Sequence, residues 1–149
     1  MEPLWDRLRS EWKRQGLTIR TGAHATRFAE FERRHAVRLP QDLREYLGSV
    51  DGLEPFEYAA GVVRFWPLEE IKSASEFASY PWFGRFGPLF AFGDYAVDAC
   101  VWAIELHPAP SGANRIITVG CKDGEENEII ARSVTEFFEL YLKDLSCII

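Results

Sequence analysis

The residues best suited to chemistry in this 149-residue chain are carboxylates. Asp94 and Asp98 stand four apart, a pair that could share acid–base work or hold a metal ion. Each also has a plain structural explanation. Asp94, after Phe92-Gly93, can bond local backbone N–H groups in a strand-ending turn, and Asp98 can face solvent as the next strand opens. Asp123, Glu125, Glu126 and Glu128 form a denser cluster, either a solvated loop or an electrostatic landing site for a basic partner. The histidines and cysteines complete neither arrangement. His24, His35 and His107 form no HExxH motif, and Cys100, Cys121 and Cys147 form no CxxC pair and no zinc spacing with them. His35, on a helix rich in Phe, reads as a packed or half-exposed side chain. Nucleophile-elbow, Walker and dinucleotide-binding patterns are missing, and Gly84 and Gly87 lie among aromatics instead of opening a phosphate-binding helix. No catalytic site, metal or cofactor is therefore expected.

Charge narrows the partners. The chain carries a formal −6, distributed as +3 over residues 1–50 and −9 over residues 51–149. An acidic body argues against direct contact with a nucleic-acid backbone and for a basic partner. No apolar run approaches the roughly 20 residues that span a bilayer, so no membrane association is expected. The cysteines are odd in number and far apart, and Glu2 and Asp6 interrupt the apolar residues at the start. The expected setting is a reducing cytoplasm without a secretory leader. A hydrophobic fraction of 47% with 27% charged residues fits one globular domain over 1–149. Aromatics reach 14%, which means either a ring-rich core or an aromatic contact surface.

The elements that must position these residues are legible from periodicity. Leu4, Trp5, Leu8 and Trp12 share one face of an amphipathic helix over 4–15, which is expected to dock on the protein's own core rather than on a membrane surface. Phe28, Phe31 and His35 line a second helix. Pro40 suits the first turn of a third, where Leu43, Tyr46, Leu47 and Val50 follow at i, i+3, i+4, i+7, and Gly52 can adopt the left-handed backbone that ends it. Val62–Trp66 reads as a strand between Gly61 and Pro67. A helix is expected from Pro67, running on through Glu76 and Phe77. Tyr80–Pro88 is an aromatic loop punctuated by Gly and Pro; further strands are expected at 89–92, 99–106, 115–119 and 128–131. Ser133 with Glu136 forms a capping box that opens a last helix, with Val134, Phe137, Phe138, Tyr141 and Leu142 on its buried face. Consecutive strands without intervening long helices pair antiparallel, so the expected fold is α+β, a mainly antiparallel sheet flanked by N-terminal and C-terminal helices.

The order of several short motifs resembles the SUKH superfamily, which contains fungal cell-wall-assembly regulators and bacterial immunity proteins. The residues that carry it are Phe31-Glu32, Leu39-Pro40, Asp42-Leu43-Arg44, Tyr46-Leu47, Asp51-Gly52, Trp66 to Ile71, Phe92-Gly93-Asp94 and the Ile130–Leu142 segment. The resemblance covers roughly residues 25 to 145 and implies the same α+β fold. It also implies a non-enzymatic protein-binding domain, in the bacterial branch an immunity protein that neutralises a cognate toxin, often a nuclease, by direct binding. A regulatory or scaffolding module, or a small-molecule-binding protein with a pocket under the aromatic loop, is the alternative. Charge and expected exposure nominate the partner-binding residues: Asp51, Glu54 and Glu57, then Asp94 and Asp98, then Asp123, Glu125, Glu126 and Glu128. Trp82 and Phe83 are the candidate buried anchors.

Overall fold

The computed structural model describes residues 2–74, 88–96, 100–109, 113–119 and 128–149. Helix α1 (Leu4–Arg14) follows its apolar spacing: Leu8 and Trp12 are fully buried, and Leu4 and Trp5 lie against the same core. Its hydrophobic face is thus used internally, as the mixed charges on its other face predict. Helix α2 (Ala25–His35) is capped by the His24 ring, which accepts from the Thr26 N–H, and it stops at Ala36 in a left-handed conformation. Pro40 leads into α3 (Gln41–Ser49), which buries Leu43, Tyr46 and Leu47.

Six strands follow among the described residues: β1 (Val63–Phe65), β2 (Lys72–Ser73), β3 (Leu89–Tyr95), β4 (Cys100–Glu105), β5 (Ile116–Val119) and β6 (Ile129–Ala131). They form one antiparallel sheet in the order β1-β3-β4-β5-β6, with β2 also paired to β3. Helix α4 (Val134–Lys143) closes the fold, with Ser133 Oγ accepting from the Glu136 N–H as the capping box requires. The fold is α+β, as the consecutive strands indicate.

The four α-helices among the described residues bury their apolar stripes in one core with the rings of one sheet face. Phe65 is its hub. Its ring lies 5.5 Å from Trp102, 5.1 Å from Phe138, 5.2 Å from Tyr141 and 5.9 Å from both Phe137 and Trp12. A buried side chain of this size contributes about 2–3 kcal/mol, so the aromatic excess is largely a core feature. The second sheet face is also buried, through Trp66, Ala91, Val101, Ala103, Ile117 and Val119. A strand buried on both sides has no reason to alternate, which explains why β4 is apolar at every position from Cys100 to Ile104 before ending at Glu105.

Two segments depart from the sequence reading. After Pro67 there is a single 3-10 turn, Leu68–Glu70, and the chain then pairs as β2 with Ala91 and Phe90. Hydrogen bonds to the edge of β3 outweigh the local helical preference of the acidic turn; Glu76 and Phe77 lie outside the described residues. Strand β3 also runs through Gly93-Asp94 to Tyr95, with its register shifted between Ala91 and Gly93. Gly93 serves close packing here. A Cβ on it would lie 2.8 Å from Phe65 Cδ1 and 3.3 Å from Trp102 Cε3. The cysteine spacing gave no sign that Cys100 is disulfide-bonded, whereas Cys147 is a half-buried free thiol.

Candidate functional site: an arginine–carboxylate cluster beneath an acidic loop

After α3 the chain turns through Asp51 and Gly52 onto the segment that follows β1. Gly52 has φ +64°, and a Cβ there would sit 2.5 Å from the Trp66 carbonyl carbon and 2.6 Å from Pro67 N. Only glycine permits that approach. Asp51, 1% exposed, accepts from the Leu68 N–H at 2.7 Å and so fixes the start of the 3-10 turn. Its other oxygen faces Arg27 at 3.3 Å and Arg20 at 3.7 Å. Both guanidiniums also reach Glu69, at 2.6 Å from Arg27 and 3.2 Å from Arg20, and Arg20 reaches Glu54 at 3.1 Å. The ion pairs compensate the desolvation of the buried carboxylate.

Arg64 on β1 extends the network. It grips both Glu70 oxygens at 2.7 Å and donates to the Leu53 and Glu54 carbonyls at 3.1 Å. Bonding to Glu70 holds its guanidinium further above its ordinary pKa. The segment Leu53–Val62 is therefore fastened from below. Glu57 fastens it sideways, accepting from the Thr18 N–H at 2.6 Å and the Thr18 hydroxyl at 2.8 Å, which lowers its carboxyl pKa. Gln15 Oε1 accepts from the Ala60 N–H at 2.7 Å.

The nominated residues divide sharply. Glu54 and Glu57 come together on this loop, half-buried, and Glu128 is exposed at the entry to β6. Asp51 and Asp94 do not have the exposure expected of them. Asp94 is 5% exposed, paired opposite Arg64 in the sheet, and accepts from Trp66 Nε1 at 3.0 Å. Both are drawn inward because buried donors need acceptors. Trp82, Phe83, Asp98, Asp123, Glu125 and Glu126 lie outside the described residues. The sequence reading missed the network of Arg20, Arg27 and Glu69, whose partners are distant in the chain, and the Arg64–Glu70 pair, which forms across the turn after β1. It also missed Phe56 at the loop tip.

Other shared motifs are likewise bonded within the scaffold. Glu32 accepts from the Leu39 N–H at 2.7 Å and from Arg44 at 2.6 Å, which stitches α2, the connector and α3 together. Asp42 accepts from the Thr135 N–H and hydroxyl at 2.9 and 3.1 Å, which ties α3 to α4. An open cleft of about 390 Å³ lies beside this region, lined by Arg38, Leu39, Pro40, Gln41, Arg44, Ala109 and Asn114. Arg44 there is already committed to Glu32. Among the described residues no group of three or more His, Cys, Asp or Glu side chains could hold a metal ion, and no helix is long and apolar enough to cross a membrane.

Comparison with known families agrees with this geometry. The model of the SMI1 / KNR4 family (SUKH-1) matches residues 22–140, from just before α2 into α4. No curated protein matches the chain.

Proposed function

The chain belongs to the SMI1 / KNR4 family (SUKH-1), and from that premise we propose that it is a non-enzymatic binding module for a basic protein. The partner of choice is a cognate bacterial toxin, neutralised by occlusion. One observation carries the reading. Carboxylates of an acidic body gather where the loop after α3 meets the 3-10 turn after β1, both tied down by the scaffold's hydrogen bonds, with the Glu54 side chain 38% and the Glu69 side chain 53% exposed near Glu57. Such a field steers a basic surface into place, and a fixed loop loses little entropy when it is covered. A nucleic-acid-binding toxin face supplies the complementary charge. A regulatory partner from the host cell is the second form of the same reading, since it would use the same acidic face.

The test is affinity capture at low salt from the native host, with the neighbouring genes co-expressed, followed by binding kinetics against the purified partner. The reading expects one basic protein in stoichiometric complex, with association slowed by rising salt. A toxin-like partner separates the immunity form from the regulatory one. A partner that binds at a salt-independent rate, or no stoichiometric partner at all, overturns the proposal.

A further inference from the structure

Phe56 is 91% exposed, more than any other large apolar residue among those described. It occupies an unusual place in the backbone. Glu54, Pro55, Phe56 and Glu57 form a β-turn closed by the Glu57 N–H donating to the Glu54 carbonyl at 3.2 Å. Proline at the second position and a positive φ at the third make this a type II turn, whose third position favours glycine. Phe56 stands there at φ +68°. A bulky side chain in this region is strained, and such strain persists only where surrounding bonds impose it. Those bonds are present on both flanks: Arg64 and Arg20 hold Glu54, and Thr18 holds Glu57. An unfavourable residue is thus fixed in an unfavourable conformation with its ring exposed to water, and among the described residues it makes no ring contact and joins no hydrophobic cluster.

The charge around it identifies what the ring would meet. Asp51, Glu54, Glu57, Glu69 and Glu70 lie in this region against Arg20, Arg27 and Arg64, a surplus of two negative charges. We infer that Phe56 is the anchor of the partner interface, inserting into an apolar pocket rimmed by Lys or Arg on a basic protein partner. An aromatic ring on a rigid mount, encircled by polar contacts that exclude water, is the arrangement found at the energetic centre of protein interfaces. This inference rests on the protein-binding reading above and names the residue through which it acts.

The experiment places a photoreactive benzoylphenylalanine at position 56 of the full chain in the native host, with the same residue at exposed Glu30 as control. It then measures Phe56→Ala and Phe56→Gly against the protein that the unmodified chain retains. Irradiation is expected to link position 56, and not position 30, to that protein. Both substitutions should weaken its affinity about 10- to 100-fold. Phe56→Gly should keep or raise the melting temperature, by about 2 °C, because it relieves the left-handed strain. Weaker binding in an equally stable variant cannot come from misfolding. A retained partner bound equally well by Phe56→Ala overturns the inference alone, whereas no retained partner overturns the protein-binding reading with it. Dimerisation of the free chain that Phe56→Ala abolishes would also overturn it, since the occupant would then be a second copy.

Discussion

Replacing Asp51 by alanine tests the central architectural claim, that one buried carboxylate joins the helical layer to the turn after β1. Three interactions are lost: the bond from the Leu68 N–H at 2.7 Å and the approaches of Arg27 at 3.3 Å and Arg20 at 3.7 Å. A buried N–H left without an acceptor costs about 1–3 kcal/mol. Breaking a buried ion pair costs about 3–5 kcal/mol, but Arg27 and Arg20 keep Glu69 and Glu54, so the lower end applies. The expected destabilisation is about 3–4 kcal/mol, or a fall in melting temperature of roughly 10 °C. Asp51→Asn keeps an oxygen for Leu68 while losing the charge, so it should cost about 1–2 kcal/mol less than alanine. Urea unfolding followed by circular dichroism measures both, with the slope checking that the transition stays two-state. An alanine variant within about 1 kcal/mol of wild type, or an asparagine variant as damaged as alanine, would refute the reasoning.

Other perturbations follow from the same geometry. Gly52→Ala adds a Cβ 2.5 Å from backbone that cannot move aside, in a left-handed conformation, and should cost more than about 3 kcal/mol in the same urea assay. Glu32 supplies a pH dependence. Burial raises its pKa, but the Leu39 N–H and the Arg44 and Arg38 charges outweigh burial and leave it below the ordinary 4.5. A depressed folded-state pKa gives stability that is present above the unfolded value and lost as pH falls through the folded one. Wild type should therefore weaken below about pH 4.5, whereas Glu32→Gln should be about 1–2 kcal/mol weaker at pH 7 with a flatter acid limb. Melting temperatures from pH 7 to pH 3 display this crossover. Trp12→Phe removes the indole bond to the Tyr141 hydroxyl at 3.0 Å and leaves a small void in the core, so a loss of about 2–3 kcal/mol is expected from thermal unfolding.

Much of this protein follows from local sequence. Trp12, Phe31, Leu43, Tyr46, Phe137 and Phe138 fall on the buried faces that their 3.6-residue spacing assigns, because one apolar stripe per helix leaves one way to pack. The antiparallel sheet follows from strands that succeed one another without long helices expected between them, and the capping residue Ser133 marks its helix by itself. The candidate site was less legible. Asp51 and Asp94 look like surface carboxylates in sequence, and only the fold brings Leu68 N and Trp66 Nε1 to them as buried donors. The helix expected after Pro67 yields to β2 because the free edge of β3 lies beside it, information that no local window contains. Phe56 stands in water because Arg64 on β1 and Thr18 and Arg20 in the connector before α2, two distant parts of the chain, fix the turn that carries it. Periodicity reports which face of an element is apolar; long-range hydrogen bonds and ion pairs decide which polar groups are enclosed and which side chain is left exposed.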